Sequence, residues 1–183
     1  MGRPVSSIDD RSIHLLYGEG LSDAAFLSHL KSVFISRGVG FQIKADGDDG
    51  GDPTHILRKC INYRRRAEFA SRTVLIDTDR PWDRETVLAL AEQENVRMLP
   101  SQPCLEGLLL RILGKAVPSS SRDCKRIFQR EHLSELKMMS AANYQPLFPR
   151  DLLTARAGEI PTLAALIRFL ETGEAPETIL PDA

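Results

Sequence analysis

Four acidic residues are the side chains best suited to chemistry in this sequence: Glu19, Asp77, Asp79 and Glu106. Each follows an apolar run. Glu19 stands between two glycines in "HLLYGEGLSDAAFL" (14–27), and Asp77 and Asp79 close "RTVLIDTD" at spacing i, i+2. On extended backbone that spacing sends both side chains the same way. Glu106 comes shortly after "VRMLPS". If the apolar runs are parallel strands, their carboxyl ends share one edge and the four acids meet there. Like charges packed together repel. A hard divalent cation such as Mg²⁺ or Mn²⁺, held by oxygen ligands and water, is the usual means of neutralising them. Such an ion binds phosphate oxygens and activates an attacking water. The plainer reading is that these acids are strand-end caps and turn formers, since a lone DxD pair carries little information.

The elements that must position these residues follow from periodicity. "SIHLLY" (12–17), "FQIKA" (41–45), "RTVLIDTD" (72–79) and "VRMLPS" (96–101) read as strands. Between them, apolar residues at helical spacing mark helices at 22–38, with Ser22 as cap and Gly38 as end, at 54–70, and at 83–95 with Asp83 as cap. "PCLEGLLLRIL" opens a fourth helix. Strands alternating with helices build βαβ units, and hence an α/β fold with a mostly parallel four-stranded sheet covered by helices on both faces. Beyond "GKAVPSSSRD" the pattern is helical only, with helices expected near 122–136, 150–156 and 160–172. The expected layout is a Rossmann-like catalytic core over 10–115, a helical extension over 116–175 packed on it, and flexible ends at 1–9 and 176–183.

Bulk properties bound the partners. A chain of 183 residues can bury one full core. Its formal net charge of −1 excludes a global field that draws in nucleic acid, so a polyanion needs a local patch or metal ions. Cys60, Cys104 and Cys124 are widely spaced and odd in number, which speaks against a disulfide framework or zinc site and for a reducing, cytoplasmic setting. No apolar run approaches membrane-spanning length, and "MGRPVSSIDDRS" lacks the apolar core of a signal peptide.

The motifs also carry a resemblance. "YGEGLSDAAFL" resembles the first motif of Toprim domains, the metal-dependent catalytic domains of topoisomerases, primases, recombination proteins and OLD-type nucleases, and "VLIDTDR" resembles their DxD motif. "SQPCLEGLLLRIL" is similar to the Ser-Asn-Pro-Cys-Phe-Glu-x-Trp-Leu-Leu stretch of the RloB-like branch, as is the glycine and Asp-Pro loop before the second helix. The likeness covers residues 12–113. It implies a Toprim fold and Mg²⁺-dependent phosphodiester chemistry on nucleic acid, DNA or RNA. It also implies a tie to phage defence, often beside an ABC-type ATPase. Carried over by position, Glu19 is the general acid or base or a second-metal ligand, Asp77 and Asp79 are the main ligands, and Glu106 completes the site. Asp23 matches the first motif's acidic position and could contact a water or a metal. The chain departs from the pattern at Leu105, where the family has phenylalanine, at Gly107, where it has tryptophan, and near Arg111, where a histidine usually closes the motif.

Other features have two readings each. Arg58, Lys59, Arg64, Arg65, Arg66 and Arg72 form a solvated face or, in part, a phosphate contact. "DGDDGGD" (46–52) resembles a calcium loop but lacks its bidentate glutamate, and reads as a flexible loop at the edge of the acids. His14 is a satisfied structural residue, and His55, near the loop, could approach the site. Arg80 pairs with the aspartates or with a scissile phosphate; Trp82 stacks on a base or packs on a helix end.

The expected function is Mg²⁺-dependent hydrolysis of nucleic acid. Two rivals stand beside it: a catalytically quiet binding or regulatory subunit of an ATPase complex, and a Mg²⁺-dependent phosphatase or phosphotransferase acting on small molecules.

Overall fold

Three of the four apolar runs are buried on both sides, which suits strands rather than helix faces, and in the fourth, Phe41–Gly47, only Ile43 is buried. The structure, a computed structural model, describes residues 12–48, 50–63 and 69–179. Strands β1 (Ser12–Gly18), β2 (Phe41–Gly47), β3 (Ser71–Asp77) and β4 (Val96–Ser101) alternate with helices α1 (Leu21–Phe34), α2 (Pro53–Asn62) and α3 (Arg84–Gln93). Helix α4 (Leu105–Ile112) follows β4. The extension holds α5 (Ser121–Glu131), α6 (Glu135–Met138), α7 (Ala141–Tyr144), α8 (Arg150–Ala157) and α9 (Pro161–Thr172).

The strands form one parallel sheet in the order β2-β1-β3-β4. Alternation divides their side chains between two cores. Leu16, Ile43, Leu75 and Leu99 face one side and pack with α1, α4 and the extension, including Phe128, Leu153 and Phe169. Leu15, Tyr17, Val74, Ile76 and Met98 face the other and pack with Ile56, Leu57 and Cys60 of α2 and Val87 and Ala91 of α3. The α/β sheet with helices on both faces is as the sequence implied. The extension is tied to the α1 and α4 face by polar contacts too: Thr162 Oγ1 donates to the Pro100 carbonyl at 2.8 Å, and Arg156 Nε to the Ile112 carbonyl at 3.1 Å. Among the described residues no helix is long and apolar enough to cross a membrane.

Several ends differ from expectation. Helix α1 is capped by Gly20, not Ser22, because Asp23 at its third position turns back to accept from the Gly20 N–H at 3.1 Å. It stops at Phe34, and Gly38 takes a left-handed conformation in the turn beyond. Helix α2 stops at Asn62; Arg64, Arg65 and Arg66 lie outside the described residues, as do 1–11 and 180–183. The helix expected over 122–136 is two pieces, since Leu133 turns inward to the core between α5 and α6. Residues 178 and 179, placed in the fraying tail, are held at the β4 edge. There Ile179 N–H donates to the Met98 carbonyl at 2.9 Å, and Met98 N–H donates to Thr178 Oγ1 at 3.3 Å.

Candidate functional site

The register of the sheet brings Glu19 within one residue of Asp77. Gly18 pairs with Leu75, and Asp77 pairs with Ser101 on β4. Glu19 is the first residue past β1, and its Oε2 accepts from the Asp77 N–H at 3.1 Å. Asp77 in turn lies at the start of α4: its Oδ1 accepts from Ser101 Oγ at 2.7 Å and from the Leu105 N–H at 3.1 Å. The backbone of Glu19 is fixed on its other side as well, since the Gly50 N–H donates to its carbonyl at 3.1 Å. Gly18 is needed for close approach: a Cβ there would stand 2.4 Å from Asp23 Cβ.

These residues line a cleft of about 530 Å³ at the carboxyl edge of the sheet, with Asp23 and Glu106 beside Glu19 and Asp77. Asp23 and Glu106 are buried. Asp23 Oδ2 is used by Gly20, whereas Asp23 Oδ1 is buried with no hydrogen-bond partner among the described residues. Helix α5 of the extension forms the facing wall with Lys125 and Gln129, and Glu135 and Met139 stand at its rim. Both α1 and α4 begin here, so two helix N-termini, each a partial positive charge, face the acids.

The electrostatics follow from crowding. Burial pushes the Asp23 carboxyl up to about 7, with the charges of Glu19 and Glu106 adding to it and the Gly20 N–H opposing. Burial also drives Asp77 well above the usual carboxylate range, reinforced by Asp23 and Glu19. Glu19 is raised by burial against the pull of the Asp77 N–H, with Asp79 contributing. Partial burial works against charge on Lys125, yet Glu106 and Asp77 hold it above its ordinary value. Among the described lining residues, the site thus places the four carboxyl groups of Glu19, Asp23, Asp77 and Glu106 near a single lysine.

Of the expected site residues, Glu19, Asp23, Asp77 and Glu106 come together; Asp79 and Arg80 do not line the cleft and stand exposed. The i, i+2 argument requires extended backbone, and β3 ends at Asp77. Past it the Thr78 N–H turns to the Pro103 carbonyl at 2.9 Å, and the alternation is lost. Asp79 still acts on Glu19 and Asp77 through its charge. His55 is exposed and is not among the lining residues. Trp82 packs against the α2 and α3 core. The acidic loop is engaged: Tyr63 OH donates to Asp46, and Lys59 pairs with Asp48 at 3.0 Å. Gly107 leaves no room for a side chain, since a Cβ there would meet the Gln102 carbonyl oxygen at 2.6 Å.

Ser101, Lys125 and Gln129 belong to the site but were not singled out from the sequence. Only the strand pairing reveals Ser101, and only the packing of the extension reveals the other two.

Among the described residues, no three His, Cys, Asp or Glu side chains are grouped closely enough to ligate one ion as they stand. The donor set nevertheless fits a hard divalent cation: it is all oxygen, it carries surplus charge, and it includes Asp23 Oδ1, unpartnered among the described residues. Compared with protein-family models, with curated proteins and with solved structures, the chain matches none.

Proposed function

We propose that the chain is a metal-dependent nuclease of the Toprim type, RloB-like, that hydrolyses phosphodiester bonds in nucleic acid. The observation that carries this reading is the gathering of Glu19, Asp23, Asp77 and Glu106 in one cleft, with Asp23 Oδ1 buried and unpartnered among the described residues. Asp77, Glu106 and Asp23, drawn closer together than they stand, would hold Mg²⁺ or Mn²⁺, with Glu19 close by and Asp79 adding charge from outside. Bound there, the ion would neutralise phosphate oxygens and acidify the attacking water.

The chain's own residues do the rest. Glu19 carries the proton: burial favours its neutral form, and the Asp77 N–H holds one carboxylate oxygen in place. Ser101 and the Leu105 N–H orient Asp77. Lys125 and the N-termini of α1 and α4 would supply positive charge to the phosphate, and exposed Arg80 would meet the strand outside. The resemblance also supplies the proposed setting, phage defence beside an ABC-type ATPase.

The test is cleavage of DNA and RNA in Mg²⁺ or Mn²⁺ by the purified chain and by Glu19→Gln and Asp77→Asn. The expected result is cleavage that falls by about 10² or more in both variants. An unchanged rate in either variant overturns the assignment. The second reading, a quiet regulatory subunit, draws on the exposure of Asp79 and on the absence of a closed ligand group among the described residues. It expects an ATPase to be bound and no nucleic acid to be cut.

A further inference from the structure

A second, smaller hollow opens beside the acid cleft and shares two walls with it. Leu21, at the start of α1, and Met139, just past α6, line both. The hollow measures about 290 Å³, and its other lining residues are Ala24, Ala25, Ser28 and Ala141. Ser28 is thus the one polar side chain in it. Large apolar residues are rarely exposed on this protein: among those described, only Ile13, Leu21, Leu136 and Met139 are. Two of those four flank this hollow, and a third, Leu136, lies on α6 beside it in sequence.

We infer that this hollow seats one unpaired base of the substrate while the adjoining phosphate lies in the acid cleft, so that the substrate is single-stranded nucleic acid. The inference rests on the nuclease reading above. A polar, charged cleft joined to a small apolar recess matches the two halves of a nucleotide, whose phosphate needs cations and donors and whose ring needs dry contact. At about 290 Å³ the recess falls just short of the usual ligand-sized pocket and has room for one base. Its three alanines leave the floor open, and the Met139 thioether makes favourable contacts at the edge of an aromatic ring. A base still stacked within a duplex cannot leave its neighbours to enter such a recess without the cost of unstacking, whereas a single strand offers it freely.

The experiment measures binding by fluorescence anisotropy in Ca²⁺, with short oligothymidylate and oligouridylate strands, an abasic strand of the same length, and a duplex. Mn²⁺ affinity is measured by calorimetry on the same proteins. The expected result is that strands with bases bind at least about tenfold tighter than the abasic strand and the duplex. Ala141→Phe and Ser28→Phe, which fill the recess from positions outside the acid cleft, should each erase that preference and leave Mn²⁺ affinity unchanged. Equal binding of abasic and base-bearing strands by the wild type overturns this inference, and so does binding that favours the duplex. If Mn²⁺ binds in either of those cases, the metal-site reading survives without it. If the wild type binds neither Mn²⁺ nor any strand, both fall together.

Discussion

Glu19 and Asp77 are joined through the backbone of one and the side chain of the other: the Asp77 N–H donates to Glu19 Oε2 at 3.1 Å, so two strand ends and their charges are locked together. That bond relieves only part of the repulsion. Asp23 and Glu106 stand in the same cleft, and Asp23, Asp77 and Glu19 are all raised above their ordinary values.

A stability profile follows from those shifts. Asp23 moves from an ordinary 3.8 to about 7, chiefly by burial and then by Glu19 and Glu106. A carboxyl whose pKa is higher in the folded chain binds its proton more tightly there, so its stabilising contribution is complete below the unfolded value and is lost as pH rises through the folded one. Each unit corresponds to about 1.4 kcal/mol. In metal-free buffer the melting temperature is therefore expected to fall as pH rises from about 4 to beyond about 7. Mn²⁺ added above that window should restore it, and Asp23→Asn should flatten the profile. Thermal unfolding by circular dichroism across that range checks this; a level profile in the wild type contradicts it.

Ser101 makes a sharper prediction because it touches only one of the acids. Its hydroxyl lies 2.7 Å from Asp77 Oδ1 and 3.1 Å from the Ile76 carbonyl, so its single proton serves one or the other. With Ser101→Ala, Asp77 keeps only the Leu105 N–H and its orientation loosens. Mn²⁺ affinity is expected to drop about 10- to 100-fold, as when a residue that orients a ligand is lost. The loss of folding stability should be about 1–3 kcal/mol at high pH and smaller at low pH, where Asp77 is protonated and needs the donor less. Calorimetry and denaturant unfolding at two pH values would show whether the two effects part in this way.

The fold was legible because β1, β3 and β4 are buried on both faces and so read as continuous apolar runs, because β2 alternates, and because Asp83 caps α3 as its position suggests. His14 was legible as structural: its ring bonds Ser71 Oγ at 2.7 Å and Ser12 Oγ at 3.2 Å. The site was legible only in part. Residues at strand ends can be placed from the parallel rule, but the direction of Asp79 depends on where β3 stops, and a hydrogen bond from Thr78 decides that. Lys125 and Gln129 had no sequence signal. Their role comes from the seating of α5 through Cys124 and Phe128, both fully buried, and nothing near them in the chain specifies that contact. Ser22 looked like the better cap for α1, yet Gly20 took the place because the Asp23 carboxylate supplies the hydrogen bond from three residues along.

Gly18 tests how tightly the first motif is packed. A Cβ at this position would stand 2.4 Å from Asp23 Cβ and 3.1 Å from the Ala24 nitrogen, so α1 or β1 must shift to admit it. Gly18→Ala is expected to cost about 1–3 kcal/mol as overpacking. It should also weaken Mn²⁺ binding, since Asp23 is the residue displaced. The midpoint of urea unfolding reads the first effect and calorimetry the second. A variant as stable as the wild type would mean that the β1–α1 turn is looser than these distances require.

The C-terminal tail makes the last prediction, because it covers an edge that would otherwise be open. Strand β4 is the last in the sheet, and its outer backbone groups need partners. Met98 finds them in the tail, donating its N–H to Thr178 Oγ1 and accepting from the Ile179 N–H, while the Ile179 side chain packs against the core shared by α9. A chain ending after Glu174 loses both bonds and that packing, a change expected to cost about 1–3 kcal/mol. Because the carboxylate cleft lies at the end of the strands and not along this edge, Mn²⁺ affinity should be unaffected. Hydrogen exchange gives the most direct reading. The Met98 amide should be protected in the full chain and exchange much faster in the shortened one, whereas the Leu75 amide, in the sheet interior, should keep its protection. Equal Met98 exchange in both chains would show that the tail leaves the β4 edge in solution.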